Sequence, residues 1–196
     1  MNQSFLLVPA GLATRRSLIT GAGRLTLSAT AVALLAGCQS MAASSGPSGS
    51  AADDVAVLNT ALGLEYQAIA AYQVGAESGL LQKPVLDVAV QFQGDHKKHA
   101  EVLASTVKQL GGTPVMAKKA ADYKFPVDQL KNQADVLQFA AGLEKGAASA
   151  YLGAIPVFNN KDLAKAAGSI LGDETMHWAI LRSALGENPV PAAFIA

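Results

Sequence analysis

The chain has 196 residues, of which 51% are hydrophobic and 15% are charged, and its 15 basic side chains balance its 15 acidic ones. This composition is too apolar for a disordered protein and too often interrupted by polar residues for a protein with many membrane spans. No basic excess points to a nucleic-acid partner, and a single cysteine permits no intrachain disulfide.

The first 37 residues are predicted to be an export signal. Arg15 and Arg16 lie in a stretch that resembles a twin-arginine motif, and 12 uncharged residues follow from Leu25 to Ala36. Such a stretch is too short to span a bilayer but suits the apolar part of a signal peptide. The alternative is that the two arginines are only the basic start of an ordinary secretory signal.

The signal ends in the sequence Leu-Ala-Gly before Cys38, which resembles a bacterial lipobox. That resemblance implies cleavage before Cys38, lipidation of its thiol and attachment to a membrane through this anchor. Gln39 in the next position implies sorting to the periplasmic face of the outer membrane. Residues 38–52 are rich in Ser, Gly and Ala and are predicted to be a flexible tether.

Four amphipathic helices are predicted in residues 53–186, and residues 187–196 form a C-terminal tail. The first helix is expected to start at Asp53 or Asp54 and to run to about Ser78. The second runs from near Pro84 to the glycine pair at 111–112. The third is expected from near Asp128 to about residue 156, and the fourth from near residue 160 to residue 186.

The lengths of the connections predict the topology. Short links join the first helix to the second and the third to the fourth, so each pair is expected to be antiparallel. The link between the second and third helices, at about residues 112–127, is long enough to run the length of the bundle. The sequence therefore predicts an all-α four-helix bundle, made of two antiparallel helical hairpins joined by a long crossover.

The two hairpins also resemble each other in sequence. A Gly-Leu-Glu triplet ends at Glu65 and another ends at Glu144, and a tyrosine follows seven residues later in each case, at Tyr72 and Tyr151. The segment Asp95–His99 then matches residues 173–177 in the other hairpin. The spacing indicates a doubled helical hairpin and a bundle with approximate two-fold symmetry.

Acidic and imidazole side chains interrupt the apolar faces of all four helices: Glu65, His96, His99, Glu144, Glu174 and His177. Burying an unpaired charge is costly, and metal coordination offsets that cost by supplying a cation. Residues three apart share a helix face, so Glu174 and His177 can reach one metal together. All three histidines of the chain fall at these positions.

On these residues the chain resembles the ferritin-like superfamily, and in particular the small exported ferritin-like domain proteins of bacteria. The resemblance covers about residues 53–186 and implies iron or manganese in a dinuclear centre. It implies Glu65 and Glu144 as terminal carboxylates, Glu174 as the bridge, and His99 and His177 as one imidazole for each metal. The implied activities are metal oxidation, peroxide handling or stress defence, with an oxidoreductase as the enzymatic form.

One position departs from the family pattern, because His96 stands where the second helix should carry its glutamate. Three interpretations of the site remain open: a dinuclear centre with three Glu and three His, a centre for one metal, or a bundle without a centre. The last would be a non-catalytic envelope protein, of a stress- or desiccation-related kind. Haem between two histidines is disfavoured by the three nearby carboxylates.

Three further side chains are predicted to lie next to the ligands. Tyr72 and Tyr151 lie two helical turns from the glutamates on the same faces, where a hydroxyl can bond to a ligand or simply to a neighbouring helix. Asp95 lies beside His96, four residues before His99, near the same face. Catalytic residues, protein partners and the oligomeric state, including a homodimer, are left open.

Overall fold

The computed structural model describes residues 51–195, and these form four long helices with no strand among them. They are α1 (Ala51–Glu77), α2 (Lys83–Gln109), α3 (Gln133–Ala154) and α4 (Lys161–Ala184). The all-α prediction is confirmed. The export signal, Cys38 and most of the tether lie outside the described residues. Between residues 51 and 195 no helix combines the length and the hydropathy needed to cross a membrane.

The side-chain contacts establish how the helices run. Near the start of α1, Asn59 bonds to the backbone just beyond the end of α2, whereas Ile69, further along α1, accepts from Gln93 in the middle of α2. Residue numbers therefore rise along α1 as they fall along α2. The same reversal relates α1 to α3, where Glu65 meets Tyr151 and residue 72 meets residue 144. Consequently α2 and α3 are parallel, as predicted.

The crossover occupies residues 110–132 and carries two short 3-10 turns, Ala120–Tyr123 and Val127–Gln129. The side chain of Asn59 holds its first part against α1 through the backbone of residues 113 and 115. Phe125 holds its last part, because its ring contacts Phe139 of α3. Two hairpins and one crossover form the predicted bundle.

Two helix starts differ from the predictions. The third helix begins at Gln133 and not near Asp128, because Asn132 and Asp135 form a capping box that fixes the first turn there. The first helix already includes Ala51, the first residue that the structure describes, so Asp53 and Asp54 lie inside the helix and neither caps it. Asp54 is buried and instead accepts hydrogen bonds from the backbone N–H groups of residues 159 and 160, which ties α1 to the link before α4.

The apolar core is divided into two clusters. One contains Leu62, Val107 and Leu163, all less than 3% exposed, near the start of α1 and the end of α2. The other contains Phe92 and Leu181, towards the end of α1. Along α1 the polar residue 65 lies between a leucine of the first cluster and a tyrosine of the second. The polar centre of the bundle is therefore enclosed by apolar layers on both sides.

Candidate metal centre

The structure brings all six predicted ligands together in the middle of the bundle. Five of them are at most 3% exposed, and His99 is 15% exposed. Each helix contributes because its polar residue falls on the same face as the apolar stripe that packs into the core. The juxtaposition is as expected from the sequence, whereas the role of these residues as metal ligands stays a prediction.

Among the described residues, three groups of potential ligand atoms are each compact enough to bind one cation. One lies at the rim and has Asp95, Asp173 and His177, and two overlapping groups lie in the buried centre. In both, the ligand atoms lie within 4.8 Å of one another. One group has Glu65, His96, His99 and Glu174, and the other has His96, Glu144, Glu174 and His177. Glu174 and His96 belong to both, so the carboxylate predicted to bridge lies between the two groups.

His99 and His177 have the same orientation relative to the centre. The Nδ1 atom of His99 lies 3.3 Å from Glu174, and its Nε2 atom lies 3.3 Å from the carboxylate of Asp173. The Nδ1 atom of His177 lies 3.6 Å from Glu144, and its Nε2 atom lies 3.5 Å from Asp173 and 3.7 Å from Asp95. Each imidazole therefore presents one nitrogen to the centre and the other to an aspartate at the rim.

The two tyrosines connect the hairpins in a crossed pattern. The hydroxyl of Tyr72 on α1 donates to Glu144 on α3, and the hydroxyl of Tyr151 on α3 donates to Glu65 on α1. Burial raises the pKa of both phenols, and the neighbouring carboxylates raise it further. Both tyrosines therefore remain protonated donors that fix the orientation of the Glu144 and Glu65 carboxylates.

His96 occupies the space between three carboxylates. Its Nδ1 atom lies 2.8 Å from Glu65 and 3.6 Å from Glu174, and its Nε2 atom lies 3.3 Å from Glu144. Burial alone lowers the pKa of this imidazole, but the hydrogen bonds to Glu144 and Glu65 outweigh it and raise the pKa to about 10. His96 is thus an imidazolium that pairs with carboxylates when no metal is bound.

The acidic groups divide into two kinds. Burial raises the pKa of Glu65 and Glu144, but hydrogen bonds with the histidines outweigh it and hold the pKa of both carboxyls below the usual value. Burial dominates at Glu174 and raises its pKa to about 8. Two carboxylates are therefore charged at neutral pH, while the shared Glu174 retains a proton that a cation would replace.

The donor set fits a transition-metal cation. Within residues 51–195, five buried polar atoms of the centre have no partner in hydrogen-bonding geometry: Nδ1 of His99, Nδ1 of His177, one oxygen of Glu144 and both oxygens of Glu174. Native proteins rarely leave buried polar groups unpaired without a functional reason. Carboxylate oxygen and imidazole nitrogen are the donors that iron and manganese take in such bundles.

Two side chains at the centre were not predicted from the sequence. Asp173 contacts both His99 and His177, and the hydrogen bond from His99 lowers its pKa. The internal repeat could have identified it, because Asp173 occupies the same place in its hairpin as Asp95 does in the other. Phe92 stacks on His177 with ring centroids 3.9 Å apart, a contact that one sequence could not reveal.

The helices and the polar core together define a ferritin-like four-helix protein. The chain belongs to the ferritin-like domain family, whose match covers residues 53–187. No curated protein sequence matches it.

Two crystal structures have the same fold. A conserved hypothetical protein from Mycobacterium tuberculosis is 24% identical, with a TM-score of 0.62 over 73% of this chain and 97% of that one. A structure described as ferritin-like, diiron-carboxylate proteins from Bacillus anthracis str. Ames is 23% identical, with a TM-score of 0.57 over 70% of this chain and 99% of that one. At these identities the likeness shows the fold alone.

Proposed function

We propose that this chain is an exported, lipid-anchored protein of the cell envelope that binds iron or manganese in its bundle core. The proposed role is metal oxidation, peroxide handling or stress defence. The observation that carries the metal proposal is the set of unpaired buried atoms on three helices, all directed into one centre. The Bacillus anthracis protein of the same fold is described as diiron-carboxylate, which supports iron as the first metal to test.

The geometry suggests a division of labour among the ligands. Glu65 and Glu144 are proposed as terminal carboxylates, because each also accepts a hydrogen bond from the tyrosine of the opposite hairpin. Glu174 is proposed as the shared ligand, since both of its oxygens are unpaired and it belongs to both groups. His99 and His177 supply one nitrogen each. A bound iron or manganese would add a redox-active, positively charged centre.

The aspartates are proposed to position the two imidazoles. A histidine that donates one N–H to a carboxylate is fixed in the tautomer whose other nitrogen is free to bind metal. Asp173 occupies this place for His99, and Asp95 and Asp173 share it for His177. The tyrosines act in the same way on the carboxylates, because a hydroxyl held on one oxygen fixes the direction of the other.

Metal analysis of anaerobically purified protein tests the proposal. Ferrous iron or manganese is added to chelator-treated protein, the excess is removed, and bound metal is counted by mass spectrometry. About two metals per chain are expected from the two overlapping ligand groups, and one would support the mononuclear alternative. Glu174→Gln should weaken binding by more than the roughly 10–100-fold that loss of an outer partner costs. Glu101→Gln, on the exposed surface of α2, is the matched control.

A second function is supported by His96. Its two nitrogens contact Glu65 and Glu144. The imidazolium therefore neutralises the same carboxylates that a bound metal would otherwise neutralise. This favours a non-catalytic, stress- or desiccation-related bundle that is stable without metal. Absence of bound metal, together with an unfolding temperature that manganese and iron leave unchanged, would select this function over the first.

The envelope location requires its own test. In cells fed a labelled fatty acid, the chain should carry the label and sediment with the membrane fraction. Cys38→Ser should remove the label and release the protein, whereas replacing both Arg15 and Arg16 by Lys should block export through the twin-arginine route only. Continued export of the double lysine variant would indicate an ordinary secretory signal.

A further inference from the structure

A cavity of about 150 Å³ lies at the end of the bundle where α1 turns into α2. All four helices line it, and none of the lining residues carries a charged side chain. Its walls include small residues from each helix: Ala71, Gly75, Ala89, Ala140 and Ala184. The cavity is partly open to solvent, because Pro84, Ile180 and Ala184 among its lining residues are exposed. An apolar occupant would remove its apolar walls from water, which is favourable.

The cavity shares a wall with the candidate metal centre. The ring of Tyr72 lines the cavity, while its hydroxyl is engaged by Glu144 on the far side. The one lining phenol thus offers the cavity its apolar face. Phe92, which stacks on His177, contacts the same tyrosine ring and belongs to the same core cluster. An occupant would touch the aromatic layer that supports the centre and would find no charged partner.

The internal repeat provides a comparison within the chain. Ala71, Tyr72 and Ala140 in the cavity correspond, 79 residues away, to Ala150, Tyr151 and Ala61. Those three residues line a second depression, formed only by α1, α3 and the 3-10 turn after α3. On that side α2 and α4 do not take part, and the depression is a surface groove. A cavity lined by all four helices is thus specific to the half of the bundle that contains Tyr72.

We propose that this cavity binds a small uncharged hydrocarbon group about the size of benzene. The volume supports this size, since an apolar cavity of about 150 Å³ in another protein stays dry and binds benzene or xenon. The lining supports the chemistry, because a polar occupant would lose its hydrogen bonds to water without gaining others. Ile180 is 47% exposed and lines the cavity, which makes its side of the bundle the route from solvent.

Binding of benzene to the purified full chain, kept free of metal by a chelator, tests the proposal independently of the proposed metal function. At ten times its dissociation constant, benzene should raise the unfolding temperature by roughly 4 °C. Pyridine has the same shape but a ring nitrogen that would be buried without a partner, so it should produce no comparable shift. Equal shifts with both ligands, or no shift with benzene, would overturn the proposal.

Two variants locate the site. Ala140→Leu fills the cavity and should weaken benzene binding about tenfold or more. Ala150→Leu makes the same change in the surface groove and should leave the affinity within about twofold. Nuclear Overhauser contacts between benzene and the methyl groups of Leu181, measured on the unmodified chain, locate the ligand even if Ala140→Leu does not fold. Contacts confined to the groove around Tyr151 would place the ligand elsewhere and refute the assignment.

Discussion

Replacing His96 by glutamate reverses the charge at the centre of the bundle. The imidazolium lies 2.8 Å from Glu65 and 3.3 Å from Glu144, and all three side chains are at most 2% exposed. Removing one partner of a buried ion pair costs about 3–5 kcal/mol, since the other partner is left buried and uncompensated. We therefore expect metal-free His96→Glu to unfold roughly 10–15 °C below the unmodified chain.

Metal should reverse this loss. The variant has four core glutamates and two histidines, so it has more negative charge to attract a cation and one more carboxylate to bind it. A ligand that binds only the native state, present at a thousandfold excess over its dissociation constant, adds about 4 kcal/mol to the free energy of unfolding. This gain offsets most of the stability that the substitution removes. Thermal unfolding with chelator, and then with increasing manganese, measures both effects. His96→Gln, which removes the positive charge without adding a ligand carboxylate, is the control.

Two results would refute the reasoning. A chelated His96→Glu variant as stable as the unmodified chain would show that His96 does not compensate the buried carboxylates. A variant that gains no more stability from manganese than the unmodified chain would show that this position does not limit metal affinity. A His96→Gln variant that gains as much as His96→Glu would instead assign the gain to loss of the imidazolium alone.

Three other predictions concern the metal-free protein. His96 and His99, whose folded pKa values of about 10 and about 12 exceed the usual 6.5, contribute stability that is fully present below pH 6.5 and lost as the pH rises through those values. Urea unfolding with chelator should therefore show a free energy of unfolding that falls between pH 7 and 10. Asp54→Ala should cost about 2–3 kcal/mol in the same assay, because it leaves two backbone N–H groups without their acceptor. Tyr72→Phe and Tyr151→Phe should each lower the free energy of unfolding by about 1.5–3 kcal/mol. The two losses should be similar, with a difference smaller than either loss, since the hydrogen bonds are equivalent in the two hairpins.

The bundle was predictable because each of its determinants is local in the sequence. Helical spacing of apolar residues, glycines past the helix ends and the length of the crossover are sufficient to predict two antiparallel hairpins with the second and third helices parallel. The convergence of Glu65 and Glu144 followed from the repeat, because equivalent residues of two similar hairpins meet at the axis that relates them. Tyr72 and Tyr151 are separated by the same number of residues as Glu65 and Glu144. The two tyrosines therefore make equivalent, crossed hydrogen bonds to the two glutamates.

The remaining features depend on contacts between distant segments, which a single sequence does not encode visibly. Asp54 looks like a helix cap because of its place before an apolar stripe, but its carboxylate is required 105 residues away, at the start of α4. The third helix begins later than predicted because Asn132 and Asp135 form a capping box there, whereas Asp128 lies in the 3-10 turn Val127–Gln129. The cavity beside Tyr72 depends on the relative sizes of side chains on four helices. The apolar periodicity of the sequence does not predict how these side chains fit together.

The internal symmetry also explains why one substitution has so much influence. Tyrosine, glutamate, histidine and aspartate each occur twice in the repeat, and the tyrosine–glutamate hydrogen bonds are crossed in the same way in the two hairpins. The exception is the pair His96 and Glu174, which occupy the same position in the repeat and both lie in the shared middle of the centre. Two glutamates there would add like charges to a buried site and make folding depend on a cation. One imidazolium removes that dependence, and it necessarily also reduces the attraction for the cation. Under the proposed metal function, residue 96 therefore sets the balance between folding without metal and binding it.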